Sequence, residues 1–123
     1  MTLSKSEEQL MQHIWLLETA FMKDLLDAYN NPKPATTTIA TLLKRMIDKK
    51  FVAYNEFGNS RQYYALVNKN DYFSKHVNGL IKDFFGNSTS QFASFFTQET
   101  NMTNLELEDL KKIIDSQIQK NNL

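Results

Sequence analysis

The change of periodicity just after Lys50 constrains the fold of this chain more than any other feature. Over residues 36–49 the apolar side chains recur at the spacing of an α-helix, which predicts one buried face. From residue 51 two short β-prone runs follow, separated by Gly58 and Asn59, which can supply the positive φ angle of a hairpin turn. Two further helices are predicted upstream, and three helices followed by a β-hairpin are the elements of a winged helix-turn-helix.

The two upstream helices have recognisable ends. Ser4 and Glu7 form a capping box at the start of the first helix, and Leu16 is predicted to lie on its core-facing side. The second helix covers about residues 21–29 and must stop before residues 30–34, because two asparagines and two prolines do not continue a helix. The third helix therefore follows a turn, as the motif requires.

The polar face of the third helix has the order of side chains that suits a DNA major groove. Thr36 is the predicted N-cap, and short hydroxyl side chains come next, followed by longer cations. Short side chains let a helix approach base edges, and cations can reach bases or phosphates. An ordinary amphipathic surface helix also has a polar outer face, so the prediction depends on the hairpin that follows. The residues of this face are Thr37, Thr41, Lys44, Arg45 and Asp48.

Positive charge is concentrated in the same part of the chain, although the formal net charge is zero. Residues 31–69 contain seven cations and two anions, whereas the segments on either side are acidic. The predicted wing, residues 55–61, carries Asn59 and Arg61 and would bring them to the sugar-phosphate backbone. Because this excess of charge is modest, two copies held together should bind DNA better than one.

From about residue 70 the helical period returns, in three helices that are rich in phenylalanine. Six of the nine phenylalanines lie between residues 73 and 96. Such helices bury themselves poorly alone, so we predict a DNA-binding domain over residues 1–69 and a helical dimerisation domain over residues 70–123. The predicted fold class is mainly α with a small β-hairpin. The predicted dimerisation residues are Tyr72, Phe73, Val77, Leu80, Ile81, Phe84, Phe85, Phe92, Phe95, Phe96, Leu107, Leu110, Ile113 and Ile114.

Composition and motifs argue against several other classes of protein. There is no cysteine, which excludes disulfides and thiolate metal sites. No apolar run is long enough to span a membrane or act as a signal segment, so we expect a cytoplasmic protein without membrane insertion. His13 and His76 are isolated on helices and are predicted to pack rather than bind metal. No phosphate-binding loop or nucleophile–base arrangement is present, and we predict neither a cofactor nor an enzyme.

Four segments of the chain resemble one known family. They are the acidic first helix ending in Ile-Trp, the third helix with its hairpin, the Phe-rich helix after Phe-Gly-Asn-Ser, and the last helix. Their sequences are LSKSEEQLMQHIW, TTIATLLKRMIDKKFVAYNEFGNSRQYYALV, FGNSTSQFASFF and LELEDLKKII. Together they resemble the penicillinase-repressor family, also called BlaI/MecI/CopY.

The resemblance implies a homodimeric bacterial repressor. In this family a winged-helix domain binds a palindromic operator, and a C-terminal helical domain dimerises. Members read bases with the N-terminal half of the recognition helix, which implies base contacts from Thr37, Thr38 and Thr41. The resemblance also implies that Lys44 and Arg45 contact bases or phosphates.

The chain departs from the family pattern at three points. Lys50 stands where many relatives have glycine after the recognition helix, so the turn into the hairpin is expected to differ. The C-terminal cysteines of copper-responsive members are missing, which argues against copper sensing by that route. Members that respond to β-lactams are cleaved at an Asn-Phe bond with the help of a membrane metalloprotease sensor. The matching pair here is Phe95 and Phe96, so proteolysis at this bond, and such a partner, are open hypotheses.

Two hypotheses of different class follow. The first is a homodimeric, sequence-specific repressor of transcription, with the recognition helix at about residues 36–49 in the major groove and the 55–61 wing on the backbone of double-stranded DNA. The alternative is a winged-helix module that binds protein without specific DNA binding. The zero net charge is the observation that favours the alternative.

Overall fold

The computed structural model describes residues 2–123, and over that range it has six helices and three strands. In chain order the elements are α1 (Lys5–Leu17), β1 (Thr19–Phe21), α2 (Met22–Ala28), α3 (Thr36–Asp48), β2 (Val52–Phe57), β3 (Ser60–Ala65), α4 (Lys69–Phe85), α5 (Thr89–Glu99) and α6 (Asn104–Asn121). The predicted class, mainly α with a small β element in winged-helix order, is confirmed.

The chain divides into two compact units, of which the first ends at Ser74 and the second begins at Lys75. The predicted domain boundary between residues 69 and 70 stays a prediction.

The sheet of the first unit has one strand more than the sequence predicts. Its order is β1-β3-β2, and both pairs are antiparallel. The strands β2 and β3 extend to Phe57 and Ser60, so the turn between them is short, and Gly58 adopts a φ of 61° there. The extra strand β1 pairs Ala20 with Tyr63, more than forty positions along the chain. Three residues are too few to show a strand period, so β1 could not be predicted from periodicity.

The core of the first unit lies where α1, α2 and α3 meet the sheet. The capping box predicted at the start of α1 is present, with Glu7 N–H donating to Ser4 Oγ and Ser4 N–H donating to Glu7 Oε1. Trp15 is half-buried and donates its Nε1–H to the carbonyl of Val67 at 2.8 Å. Fully buried side chains in this core are Leu10, Met11, Ile14, Leu25, Ile39, Leu43, Met46 and Val52.

The predicted core position of Leu16 is wrong, since this side chain is 82% exposed. On a helix of 3.6 residues per turn, Leu16 lies two positions beyond the buried Ile14 and so points to the opposite side. The buried stripe of α1 is complete without it.

The predicted N-cap of α3 is wrong, and the helix ends in a left-handed turn. Ala35, rather than Thr36, is the N-cap, and its side chain makes no capping bond. At the other end Lys50 takes the left-handed conformation with a φ of 66°. Its N–H donates to the Ile47 carbonyl, and the N–H of Phe51 donates to the Met46 carbonyl, which is the Schellman pattern of a helix end. A lysine therefore makes the left-handed turn that ends α3.

The second unit contains the C-terminal turns of α4 together with α5 and α6. Ser88 caps α5, and Thr103 with Glu106 forms the predicted capping box of α6. Phe85 contacts both Phe92 and Phe95, with ring centroids 5.6 Å apart in each pair. Among the described residues, Ile81 is the one apolar side chain of this unit that is buried.

Candidate nucleic-acid interface

The helix α3 separates a buried apolar face from an exposed polar one. Ile39, Leu42, Leu43 and Met46 are buried against the first unit, as the sequence predicts. Because they fix the rotation of the helix, the opposite face is directed to solvent. The predicted DNA-binding residues on that face are all exposed, namely Thr37, Thr38, Thr41, Lys44 and Arg45.

The hydroxyl of Thr41 already has a partner in the helix. Its Oγ1 donates to the carbonyl of Thr37 at 2.9 Å, one turn earlier. The oxygen keeps its capacity to accept a hydrogen bond, and the methyl group can contact a thymine methyl. Thr41 can therefore contact a base edge as an acceptor or through its methyl group.

Two of the seven cations in the basic segment are occupied inside the first unit. Lys33 Nζ donates to the carbonyls of Leu26, Asp27 and Tyr29, and so it closes the C-terminal end of α2. Lys49 Nζ lies 2.8 Å from Glu7 Oε1 and also donates to the carbonyl of Thr2. These two lysines hold the structure together, so the positive charge available to a ligand is smaller than the sequence suggests.

The ion pair between Glu7 and Lys49 ties the end of α3 to the start of α1. The Glu7 side chain is 2% exposed and that of Lys49 is 29% exposed. Burial raises the pKa of Glu7, but the hydrogen bonds from Lys49 and Ser4 outweigh this effect and leave the pKa below its ordinary value of 4.5. The sequence predicts for Glu7 only a capping role at the N-terminus of α1. The capping box was the available signal, but it does not reveal the partner forty-two positions away.

Three other shifted pKa values belong to residues in the body of the first unit, and the pKa of Glu106 in the second unit is lowered by its capping hydrogen bonds from Thr103. Burial lowers the pKa of His13 and raises that of Tyr29, and the two rings meet edge to face at 4.5 Å. Burial, together with a hydrogen bond to Glu8, raises the pKa of Tyr72 to about 12. Each shift has a packing explanation, so none of these groups indicates acid–base chemistry.

The wing presents Arg61 as an exposed cation near the turn of the hairpin. Arg61 pairs across the strands with Glu56, and its guanidinium carbon lies 4.3 Å from the centroid of the Tyr54 ring. Asn59 lies in the turn itself and is also exposed. The wing thus offers one cation and one amide near its tip, and their contact with DNA stays a prediction.

Comparison with known proteins gives one match that covers almost the whole chain. The model of the penicillinase repressor family matches residues 3–116, which include all of the first unit from Leu3 and most of the second. The chain belongs to the penicillinase repressor family. This is a family of DNA-binding transcriptional repressors and not of enzymes. No curated protein gave a significant match to the chain.

The predicted dimerisation residues of this repressor lie in different environments. Tyr72 packs against Trp15 and Phe51 in the first unit, and its hydroxyl donates to Glu8 Oε2 at 2.6 Å. Half-buried members are Phe85, Phe92, Leu107 and Leu110, and Ile81 is buried. The exposed members are Phe73, Val77, Leu80, Phe84, Phe95, Phe96, Ile113 and Ile114. Their role in dimerisation stays a prediction.

The bond between Phe95 and Phe96 lies inside α5 rather than in a loop. Phe96 stacks on Phe92 with ring centroids 6.1 Å apart, and the carbonyl of Phe96 accepts a hydrogen bond from Thr100 Oγ1. A protease needs an extended segment, so cleavage here would require α5 to open locally.

Residues 2–123 contain neither a cluster of metal-binding side chains nor a membrane-spanning helix. In this range no group of three or more histidine, aspartate and glutamate side chains could hold a metal ion. The helices of the same range are all too short or too polar to cross a membrane.

Proposed function

We propose that the protein is a homodimeric, sequence-specific repressor that acts in the cytoplasm on a palindromic operator. Each protomer inserts α3 into the major groove of double-stranded DNA and places the wing, residues 55–61, on the sugar-phosphate backbone. The observation that carries the proposal is the exposed face of α3, on which three threonines precede Lys44 and Arg45.

The base contacts are assigned to the N-terminal half of α3. Thr37, Thr38 and Thr41 are short and exposed, so the helix can approach the base edges closely. Lys44 and Arg45 lie one to two turns further along and reach phosphates or a guanine edge. Arg61 and Asn59 contact the backbone from the wing.

Dimerisation is supported by the apolar surface of the second unit. Phe84 is 75% exposed and Ile113 is 65% exposed, and further exposed apolar side chains lie on α4, α5 and α6. A soluble monomer rarely leaves so many large apolar side chains in water, and an isologous interface with a second copy would cover them. Two linked recognition helices would also offset the modest charge of one.

The test is selection of duplexes from a random-sequence pool by the full-length protein, followed by footprinting on the selected DNA. We expect an inverted repeat whose half-sites are separated by about one helical turn or a multiple of it, each protected in its major groove. Threonine-to-alanine changes at residues 37 and 41 should alter the preferred base within the half-site, whereas Lys44→Ala should weaken binding to all sequences. If no sequence is enriched and the protein binds no duplex, the alternative of a protein-binding winged helix takes its place.

Relief of repression by a membrane metalloprotease sensor is a further element of the proposal. Cleavage at Phe95–Phe96 would separate α6 from the rest of the second unit and so weaken the dimer. Mass spectrometry of the protein from cells exposed to a β-lactam would show fragments ending at Phe95. Intact protein under conditions that induce the regulated genes would refute this route.

A further inference from the structure

We propose that Tyr54 positions the guanidinium of Arg61 for contact with a DNA phosphate, so that each wing carries a cation that is oriented before DNA arrives. The inference rests on the proposed DNA-binding function and adds a positioning residue to it. Nothing in the pattern of the sequence selects Tyr54, because its partner depends on the register of the hairpin.

The register places Tyr54 and Arg61 on one face of the hairpin. Tyr54 pairs directly with Tyr63, and Glu56 pairs directly with Arg61. Since side chains alternate along a strand, these four share the face that also carries the buried Val52. Arg61 and Tyr54 are therefore diagonal neighbours on the inner face of the hairpin, a distance that a long side chain can cross.

The side chains form a continuous row of contacts on this face. The guanidinium carbon of Arg61 lies 4.3 Å from the Tyr54 ring centroid, within the range of a cation–π contact. The Tyr54 ring in turn lies 5.9 Å from the ring of Tyr63, which is buried in the core of the first unit. Arg61 is thus connected to the core through two aromatic rings, although its own side chain is exposed.

Stacking orients Arg61 without using its hydrogen-bonding capacity. A guanidinium packed through its flat face keeps its N–H groups available at the edges, which suits bidentate contact with a phosphate. A long exposed side chain otherwise loses rotamer freedom when it binds, and a side chain that is already ordered loses less. Glu56 lies directly opposite Arg61, and no hydrogen bond or ion pair joins the two among the residues described. The ring therefore holds Arg61 in place of the carboxylate.

The experiment is a double-mutant cycle in the full-length protein. Binding to the selected duplex is measured for the wild type, Arg61→Ala, Tyr54→Leu and the double variant, at several salt concentrations. We expect each single variant to weaken binding about five-fold, with the double variant no weaker than Arg61→Ala. Tyr54→Phe retains the ring and should restore binding to within about two-fold of the wild type.

Controls separate positioning from a general effect on the hairpin. Tyr64 is half-buried on the opposite face of β3, and Tyr64→Leu should leave DNA affinity unchanged. In the protein without DNA, the Nε–H proton of Arg61 should show an upfield ring-current shift that Tyr54→Leu abolishes and Tyr54→Phe keeps. If Tyr54→Leu does not fold, Tyr54→Met is used in the same cycle.

The outcomes are distinct. Equal losses from Tyr54→Leu in the presence and absence of Arg61, or no loss at all, would overturn the positioning role while leaving the DNA-binding function intact. Tighter binding by Tyr54→Leu would also overturn it, since the ring would then be holding Arg61 away from DNA. A wild-type protein that binds no duplex would refute the proposed function itself.

Discussion

The two units of the molecule use their apolar side chains in opposite ways. In the first unit, the core-facing apolar residues of α1 and α3 are fully or almost fully buried, and its exposed apolar side chains include Leu16, Phe57 and Leu66. In the second unit Ile81 is buried, whereas large side chains such as Phe84, Ile113 and Ile118 are exposed over the described range. The first unit has a complete core of its own. The second unit is rich in large apolar side chains, but most of them are exposed.

This difference shows where stability must come from. Each fully buried leucine or isoleucine contributes about 2 kcal/mol by leaving water, and the first unit makes this gain within one chain. The second unit lacks most of this stabilisation unless another surface covers its exposed apolar side chains. We therefore expect the first unit to be stable at any protein concentration and the second to depend on a second copy.

Separating the units gives the largest expected effect. A fragment that ends at Ser74 should unfold cooperatively with a midpoint temperature that does not change with protein concentration. A fragment of residues 75–123 should be largely unfolded at micromolar concentration, and its midpoint should rise as the concentration rises. Circular dichroism of both fragments over a hundred-fold range of concentration checks this. If the fragment of residues 75–123 folds as a monomer, the proposed difference between the two units is wrong.

The substitution Ile113→Asp should come next in size. If Ile113 lies in a dimer interface, an unpaired carboxylate there should raise the dimer dissociation constant at least about 100-fold. Because the side chain is exposed in a single chain, helix content at low concentration should not change. Analytical ultracentrifugation measures the effect, and Lys111→Asp, on the other side of α6, is the matched control. An unchanged dimer in the Ile113 variant would place the interface elsewhere.

The substitution Glu7→Gln tests the internal stability of the first unit. It removes the charge that pairs with Lys49 and should destabilise the protein by about 2 kcal/mol, independently of protein concentration. The folded pKa of Glu7 lies below its ordinary value, so its contribution is present above about pH 4.5 and is lost as the pH falls through the folded pKa. Denaturant unfolding between pH 7 and pH 3 should therefore show a loss of stability that is smaller in Glu7→Gln. Identical pH profiles would mean that the pair contributes nothing.

The smallest expected effect is an increase in stability. Lys50 holds a positive φ that costs a side-chain-bearing residue about 1 kcal/mol, and Lys50→Gly should recover about that amount. Thermal unfolding measures it, and Lys82→Gly, at a helical position in the last turn of α4, should instead destabilise. A loss of stability in Lys50→Gly would show that the lysine side chain has a compensating role in the turn.

Much of the fold could be predicted from local chemistry in the sequence. The capping boxes at Ser4 and Thr103, the apolar stripe of α3 and the turn at Gly58 each depend on residues close together in the chain, and all are present. Features that depend on distant partners could not be predicted. The strand β1, for example, exists because β3 pairs with it. The N-cap of α3 is local, but Ala35 makes no side-chain bond that would mark it in the sequence.

The same distinction, between features set by neighbouring residues and features set by distant partners, applies to the candidate DNA interface. The exposed face of α3 follows from helical periodicity, so Thr37, Thr41 and Lys44 could be placed correctly on the surface. The role of a cation depends on what its long side chain reaches, and sequence does not show that Lys49 contacts Glu7. The stacking of Arg61 on Tyr54 likewise depends on strand register.

The most direct test is the salt dependence of DNA binding by the wild type and by Lys44→Ala/Arg45→Ala. On a logarithmic plot of affinity against salt, loss of these cations should reduce the slope by about 0.9 for each phosphate contact removed. Lys82→Ala, an exposed cation of the second unit, is the control and should leave the slope unchanged. A reduced slope and weaker binding, with an intact dimer, are the expected result. Affinity and slope equal to those of the wild type would contradict the assignment of α3 to the major groove.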